Sequence, residues 1–126
     1  MLSDKTAMAT IAVKDMAAAK KFYEETLGLK AENESPAGTM FKSGSNGIFV
    51  YPSEFAGSNK ATYAAWGVGE DLEKIAADLK GKGVTFEHYD NLPETSLEGD
   101  IHVMGELKAV WFKDPDGNIL NLVNMM

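Results

Sequence analysis

The most informative segment of the chain is Trp111-Phe112-Lys113-Asp114-Pro115-Asp116-Gly117-Asn118. Residues 114–118 predict a tight turn, because proline presets the backbone at the second turn position and glycine accepts a positive φ. Apolar runs of strand length flank this turn on both sides, at 107–113 and 118–124. The segment therefore predicts a β-hairpin near the C-terminal end of the sequence.

The rest of the second half predicts a strand, a helix and one further strand before this hairpin. The helix follows from apolar residues at i, i+3, i+4 and i+7, namely Leu72, Ile75, Ala76 and Leu79. Glu70 or Asp71 is available to cap this helix, and Gly81 and Gly83 are expected to end it. The additional strands are predicted at 61–68 and 84–89.

The first half repeats this order. A strand is predicted at 7–13 and a helix at 16–27, with Asp15 as its N-cap and Gly28 as its stop. Three strands follow, predicted at 29–34, 38–42 and 47–52. The sequence thus predicts one α+β domain over 1–126, built from two βαβββ modules at about 7–52 and 61–124. Neither module is large enough to cover its own sheet, so the two are expected to share a core.

The order and motifs of the chain resemble the vicinal oxygen chelate superfamily, which includes glyoxalase I, the extradiol dioxygenases and the bleomycin-resistance proteins. The resemblance covers Ala7 to Asn124, and it is carried by residues 11–16, 22–28 and 111–118. It implies a curved mixed sheet that forms a cup, and it implies a homodimer. The fold hosts many chemistries, so the resemblance indicates the fold and not the activity.

Family members with metal chemistry hold one divalent ion with histidines and glutamates from the first and last strands of each module. The resemblance places the four counterparts at Met8, at Tyr63 or Ala64, at Phe49 or Val50, and at Asn121. None of these side chains is a good ligand for a hard or borderline divalent ion. The expectation is therefore no family-type metal site and no cofactor. The alternative is a rearranged site on His102, Glu106 and Asp100; His88 is the other histidine.

If the ligand-equivalent positions face the cup, its lining is apolar and aromatic with a few hydroxyl or amide groups. That composition is typical of a small-molecule site, although the same side chains could simply fill the core. Both histidines are expected to be partly exposed, and no catalytic residue is predicted. The predicted ligand-binding residues are Met8, Thr10, Phe49, Tyr51, Tyr63, Trp111, Asn121 and His102.

Residues 90–106 show no clear periodicity and predict a long loop. This loop carries five acidic residues and no lysine. Acidic side chains above an aromatic cup would attract an organic cation. A solvated surface loop is the plainer alternative.

The charge balance of the sequence disfavours some classes of binding partner. Twelve basic and nineteen acidic side chains give a formal net charge of −7, which disfavours nucleic acid and anionic membrane surfaces. All basic residues are lysines, so no arginine can grip a phosphate or carboxylate in bidentate fashion. The absence of cysteine, of an export signal and of an apolar run long enough to span a bilayer favours the cytoplasm.

The leading hypothesis is a glyoxalase/bleomycin-resistance-like protein that binds a small neutral or cationic molecule without a family-type metal ion. The alternative is a metal-dependent lyase, isomerase or dioxygenase of the same superfamily with a rearranged site. A third hypothesis is a non-catalytic dimer that works through protein contacts.

Overall fold

The structure, a computed structural model, describes Met1 and residues 3–124. The chain forms two compact units by its internal contacts. The first contains residues 1–63 together with 114–118, and the second contains residues 64–113 together with 119–126. The predicted hairpin is thus divided: its turn belongs to the first unit and its strands belong to the second.

The first unit has the predicted order of strand, helix and three strands. Its four strands form a mixed sheet in the order β1-β4-β3-β2, with β1 parallel to β4 and the other neighbours antiparallel. Its elements are β1 (Ala9–Val13), α1 (Met16–Lys21), a π-helical turn (Phe22–Thr26), β2 (Lys30–Ser35), β3 (Gly38–Ser43) and β4 (Asn46–Pro52).

Helix α1 begins as predicted and ends differently. The Asp15 carboxylate accepts hydrogen bonds from the backbone N–H groups of Ala17 and Ala18 at 3.0 and 3.1 Å, which confirms the predicted N-cap. Beyond Lys21 the helix widens, so that the Leu27 N–H bonds to the Phe22 carbonyl at 3.0 Å. The expectation of one regular helix to residue 27 is therefore wrong in its last part.

One face of the first sheet is covered by α1. Ile11 and Val50 are paired across β1 and β4, and both are fully buried. Tyr23, from the π-helical turn, packs against Phe41 with ring centroids 5.7 Å apart. Because strand residues alternate between faces, Thr10, Met40, Phe49 and Tyr51 lie on the opposite face, here called the helix-free face of the first sheet.

The turn at 114–118 is anchored inside the first unit by the buried carboxylate of Asp114. One carboxylate oxygen, Oδ1, accepts the backbone N–H groups of Asp116 and Asn118, each at 2.9 Å. The other, Oδ2, accepts the Tyr23 hydroxyl at 2.9 Å and the Asn118 amide at 2.7 Å. The same Asn118 amide donates to the Ala12 carbonyl at 2.8 Å. The turn at 114–118 is therefore hydrogen-bonded both to β1, through Ala12, and to the π-helical turn, through Tyr23.

The second sheet has the order β5-β10-β9-β8-β7, and a short β6 pairs with β9. Asp71 stands at the N-cap of α2, as predicted, but its side chain makes no capping hydrogen bond. The elements are β5 (Thr62–Gly67), a short 3₁₀ turn (Gly69–Asp71), α2 (Leu72–Gly81), β6 (Phe86–Glu87), β7 (Ser96–Glu98), β8 (Ile101–Met104), β9 (Leu107–Lys113) and β10 (Ile119–Val123).

The expectation of a structureless loop at 90–106 is wrong. Strands β7 and β8 form an antiparallel hairpin inside it, and β8 pairs with β9. The predicted strand at 84–89 shortens to two residues. The fold class is nevertheless confirmed as α+β with two βαβββ-like modules, the second carrying this additional hairpin.

Helix α2 covers one face of the second sheet. Lys108, on β9, forms an ion pair with Glu73 of α2 at 3.3 Å, so the face of Lys108, Val110 and Phe112 is the one beneath the helix. Ala109 and Trp111 alternate with these residues and lie on the helix-free face of the second sheet. Neither α1 nor α2, nor any other helix in the described ranges, is long and apolar enough to cross a membrane.

The Asp114 network gives a direct stability prediction. Replacing Tyr23 by Phe removes the hydroxyl that donates to Asp114 and keeps the ring. We expect the free energy of unfolding to fall by about 2 kcal/mol, because a buried hydrogen bond to a carboxylate is lost. Urea denaturation measures the change, with an unchanged m-value as the control for an intact two-state transition. An unaltered midpoint would contradict this role for the hydroxyl.

Candidate functional site

Three of the predicted ligand-binding residues share the helix-free face of the first sheet. Thr10 is paired with Phe49 across β1 and β4, and Ala12 is paired with Tyr51. Met8 directly precedes β1, and 49% of its surface is exposed. Tyr63 lies on β5 and is half-buried.

An aromatic platform, defined here as Met40, Phe49 and Tyr51, occupies this face. The rings of Phe49 and Tyr51 are stacked, with centroids 6.1 Å apart and planes 12° from parallel. Both aromatic residues are half-buried, so part of each remains accessible. Apolar, partly exposed side chains on a rigid sheet suit an aromatic or aliphatic ligand.

Two glycines give the platform its space. A Cβ atom at Gly38 would lie 2.7 Å from the Phe49 ring and 2.6 Å from the Val50 carbonyl oxygen. A Cβ atom at Gly47 would lie 2.7 Å from the sulfur of Met40. The Phe49 ring and the Met40 side chain therefore pack against backbone that carries no side chain at Gly38 and Gly47.

The other predicted residues share the helix-free face of the second sheet. Trp111 and Asn121 are paired across β9 and β10, and His102 is paired with Ala109 across β8 and β9. Asn121 is buried, and its amide donates to the Val110 carbonyl at 3.1 Å. Its donor group is thus engaged within the sheet.

His102 is fully buried, at 0% exposure, so the expectation of a partly exposed side chain is wrong. Its Nε2 accepts the backbone N–H of Tyr89 at 2.9 Å. Its ring meets the Trp111 indole edge to face, with centroids 4.9 Å apart. Burial, followed by the charge of His88, lowers the pKa of His102. The imidazole is therefore neutral near pH 7, with its proton on Nδ1.

Tyr89 also contacts His102 and Trp111 and is not among the ligand-binding residues predicted from the sequence. Its ring lies 5.5 Å from Trp111 and 5.8 Å from His102, centroid to centroid. Burial and the charge of Glu87 raise the pKa of its hydroxyl. Strand alternation was the available signal, since Tyr89 follows Glu87 by two positions and Glu87 pairs with Trp111.

The rearranged metal site is not assembled in the described part of the chain. Across Met1 and residues 3–124, no three histidine or carboxylate side chains are grouped so that they could hold a metal ion. Asp100 instead contacts His88 at 2.7 Å and Lys80 at 3.4 Å. Hydrogen bonding from His88 lowers the pKa of Asp100, as expected for a carboxylate with cationic or donor neighbours.

Comparison with known proteins agrees with this architecture. A sequence model described as the Glyoxalase/Bleomycin resistance protein/Dioxygenase superfamily matches residues 5–122. Among curated proteins, none matches the chain.

Solved structures of the same fold include several bacterial proteins. The fosfomycin resistance protein FosX from Listeria monocytogenes has a TM-score of 0.71 at 16% identity, with 95% of this chain and 92% of that one covered. Lactoylglutathione lyase from Agrobacterium tumefaciens has a TM-score of 0.70 at 16% identity, with coverage of 95% and 92%. The antibiotic-binding protein TnmS3 from a Streptomyces species has a TM-score of 0.68 at 21% identity, with coverage of 97% and 96%.

The glycine beneath Phe49 can be tested by substitution. Gly38→Ala places a methyl group against the Phe49 ring and the Val50 carbonyl, at a φ of 152° that L-residues rarely adopt. We expect the free energy of unfolding to fall by about 2 kcal/mol through overpacking. Gly81→Ala is the matched control, because no atom lies within 4 Å of the added Cβ. That control should gain about 0.5 kcal/mol from helix propensity, and equal effects of the two changes would refute the packing argument.

The buried neutral histidine predicts a pH dependence. The unfolded chain protonates His102 below about pH 6.5, whereas the folded protein resists protonation because its pKa is lowered. The contribution of neutral His102 to the free energy of unfolding is therefore fully present above about pH 6.5. It declines as the pH falls below that value, by up to about 1.4 kcal/mol per pH unit. Denaturation curves between pH 5 and 7 should show this slope, and His102→Gln should reduce it. A ring titration by NMR above about pH 6.5 would contradict the assignment.

Proposed function

Because the chain belongs to the Glyoxalase/Bleomycin resistance protein/Dioxygenase superfamily, we propose that it binds a small, neutral or cationic aromatic molecule without a family-type metal ion and without transforming it. The residues proposed to contact the ligand are Met8, Thr10, Phe49, Tyr51, Tyr63, Trp111, Asn121 and His102.

The observation that carries the proposal is the aromatic platform. Its stacked Phe49 and Tyr51 rings are half-buried on a helix-free sheet face. Gly38 leaves room for the Phe49 ring beside the backbone, and Gly47 leaves room for the Met40 side chain. Stacked rings on a sheet are preorganised for an aromatic ligand, since little side-chain entropy is lost on binding. The similarity to an antibiotic-binding protein and to a fosfomycin resistance protein supports a binding role.

The donor set does not fit a divalent metal ion. Met8 offers a thioether, Phe49 a hydrocarbon ring, and Asn121 an amide whose nitrogen is engaged with Val110. These groups are weak ligands for zinc, manganese or iron in comparison with imidazole and carboxylate. We derive no catalytic step from such a site.

The net charge of the protein favours some classes of ligand over others. A net charge of −7 and the absence of arginine disfavour an anionic ligand. The same charge does not oppose an uncharged ligand, and it attracts a cationic one. The proposal also includes a homodimer and a cytoplasmic location, the latter in keeping with a sequence that contains no cysteine.

The proposal is tested with three naphthalene derivatives that differ in charge: naphthylmethylammonium, naphthalenemethanol and naphthoate. We expect the cation and the alcohol to bind, with naphthoate at least about tenfold weaker because of the net negative charge. Phe49→Ala should weaken binding of the first two by roughly tenfold to a hundredfold, since it removes an aromatic anchor. Isothermal titration calorimetry measures the dissociation constants.

The matched control is Phe55→Ala. It makes the same truncation at a phenylalanine that is 70% exposed and lies outside the platform, so the affinities should not change. Equal losses in the two variants would contradict the platform as the binding surface. A stoichiometric divalent metal ion in the purified protein would contradict the metal-independent function.

A further inference from the structure

The connecting segment, defined here as residues 88–95, leads from β6 to β7 on the surface of the second unit. Within this described range every residue is exposed or half-buried. Glu94 has a φ of 54° and is the one residue other than glycine with a positive φ in the described part of the chain. Because an L-residue is strained in this region, the segment needs contacts at its ends to hold its conformation.

One of these contacts, here called the inner anchor, joins Tyr89 to His102. The Tyr89 backbone N–H donates to Nε2 of the imidazole at 2.9 Å, and the two rings lie 5.8 Å apart, centroid to centroid. His102 is fully buried on β8, and a backbone hydrogen bond with Ala109 of β9 also holds it. The acceptor is therefore fixed in the sheet, and it positions the start of the connecting segment.

A second contact, here called the outer anchor, joins His88 to Asp100. His88 Nε2 lies 2.7 Å from one carboxylate oxygen of Asp100, and Lys80 Nζ, from α2, lies 3.4 Å from the other. Hydrogen bonding from His88 lowers the pKa of Asp100, so this carboxylate stays ionised in mild acid. A protonated imidazole beside a carboxylate forms an ion pair, so mild acid does not break the outer anchor.

Protonation of His102 acts on the inner anchor in the opposite sense. A neutral imidazole has one accepting nitrogen, here Nε2, whereas a protonated imidazole has two N–H donors and no acceptor. The Tyr89 N–H then faces another donor, so the hydrogen bond between them is lost. The Tyr89 hydroxyl does not titrate in this range, because burial and the charge of Glu87 raise its pKa.

The charges around His102 determine when it takes up a proton. Burial of the imidazole, followed by the charge of His88, lowers the pKa of His102, so the folded protein binds this proton only below about pH 6.5. Glu87 pairs with Lys113 at 3.4 Å, and β10 carries no ionisable side chain. The charged groups on the neighbouring elements are Glu87 and His88 beside β6, Lys80 on α2, Asp90 and Glu94 in the connecting segment, Glu98 on β7, Asp100 on β8, and Lys108 and Lys113 on β9.

We propose that the connecting segment opens in mild acid: protonation of His102 releases Tyr89 and residues 90–95 from the sheet, while the outer anchor keeps His88 in place. Opening relieves the strain at Glu94 and withdraws the Tyr89 ring from Trp111, whose centroid lies 5.5 Å away. This inference concerns a conformational change within the second unit, and it does not depend on the proposed function.

The test is an NMR titration of nitrogen-15-labelled wild-type protein from neutral pH into mild acid. At neutral pH we expect a scalar coupling across the hydrogen bond between the Tyr89 amide nitrogen and His102 Nε2. As His102 protonates, this coupling should disappear. The protection of the Tyr89 amide against hydrogen exchange should fall by up to about tenfold per pH unit, because opening takes up one proton. Val110 and Leu122, paired across β9 and β10, should keep their chemical shifts.

Two variants separate the anchors. His102→Gln supplies an amide oxygen that can accept the Tyr89 N–H and cannot titrate, so the Tyr89 amide should show no acid response. Asp100→Asn removes the carboxylate of the outer anchor, so mild acid should also weaken the nuclear Overhauser contacts between Leu97 and His102, which are paired across β7 and β8. Asp78→Asn is the matched control, because this carboxylate pairs with Lys82 at the end of α2, and it should behave as wild type.

Three results of the wild-type titration would overturn the proposal. They are a Tyr89 coupling that persists after His102 is protonated, a His102 that stays neutral until the protein unfolds, and simultaneous loss of the Tyr89, Val110 and Leu122 signals, which is the mark of global unfolding. An acid response of Tyr89 that survives in His102→Gln would overturn it as well. If that variant does not fold, the wild-type titration decides alone. Because no ligand is used, failure here leaves the proposed function standing.

Discussion

The buried carboxylate of Asp114 is the constraint on which the first unit depends. It joins the turn at 114–118 to Tyr23 at the end of the first helix, and Asn118 extends the network to the Ala12 carbonyl of β1. A buried carboxylate without such donors would be strongly destabilising, so the four hydrogen bonds are a condition of the fold. With the helix held on one sheet face, the opposite face is left to the aromatic platform.

The sequence predicts the elements whose signals are local. The turn chemistry of residues 114–118, the Asp15 cap and the repeated order of strands and helices all appear in the structure. The π-helical turn at Phe22–Thr26 and the β7–β8 hairpin do not follow from the sequence. Strand β7 has only three residues, Ser96–Glu98, and all three are exposed. Because it shows no apolar alternation, only its pairing with β8 identifies it as a strand.

In the candidate site, too, the residues placed by a local signal could be predicted from the sequence and the others could not. Alternation along β1 and β4 correctly places Thr10, Phe49 and Tyr51 on one face, because strand periodicity is a local property. The burial of His102 depends on the pairing of β8 with β9, and its contact with Tyr89 joins residues that are thirteen positions apart in the chain. Alternation along one strand does not specify which strands are neighbours, so the contact of Tyr89 with His102 could not be predicted before the pairing of β6 and β8 with β9 was known.

The division of the hairpin has a consequence for synthesis on the ribosome. When residues 1–63 have emerged, the nascent chain holds Tyr23 and β1 but not yet Asp114 or Asn118, which complete their hydrogen bonds. Residues 1–63 therefore cannot reach their final packing before Asn118 has been translated. Residues 114–118 therefore act as the closing segment of a core that residues 1–63 begin.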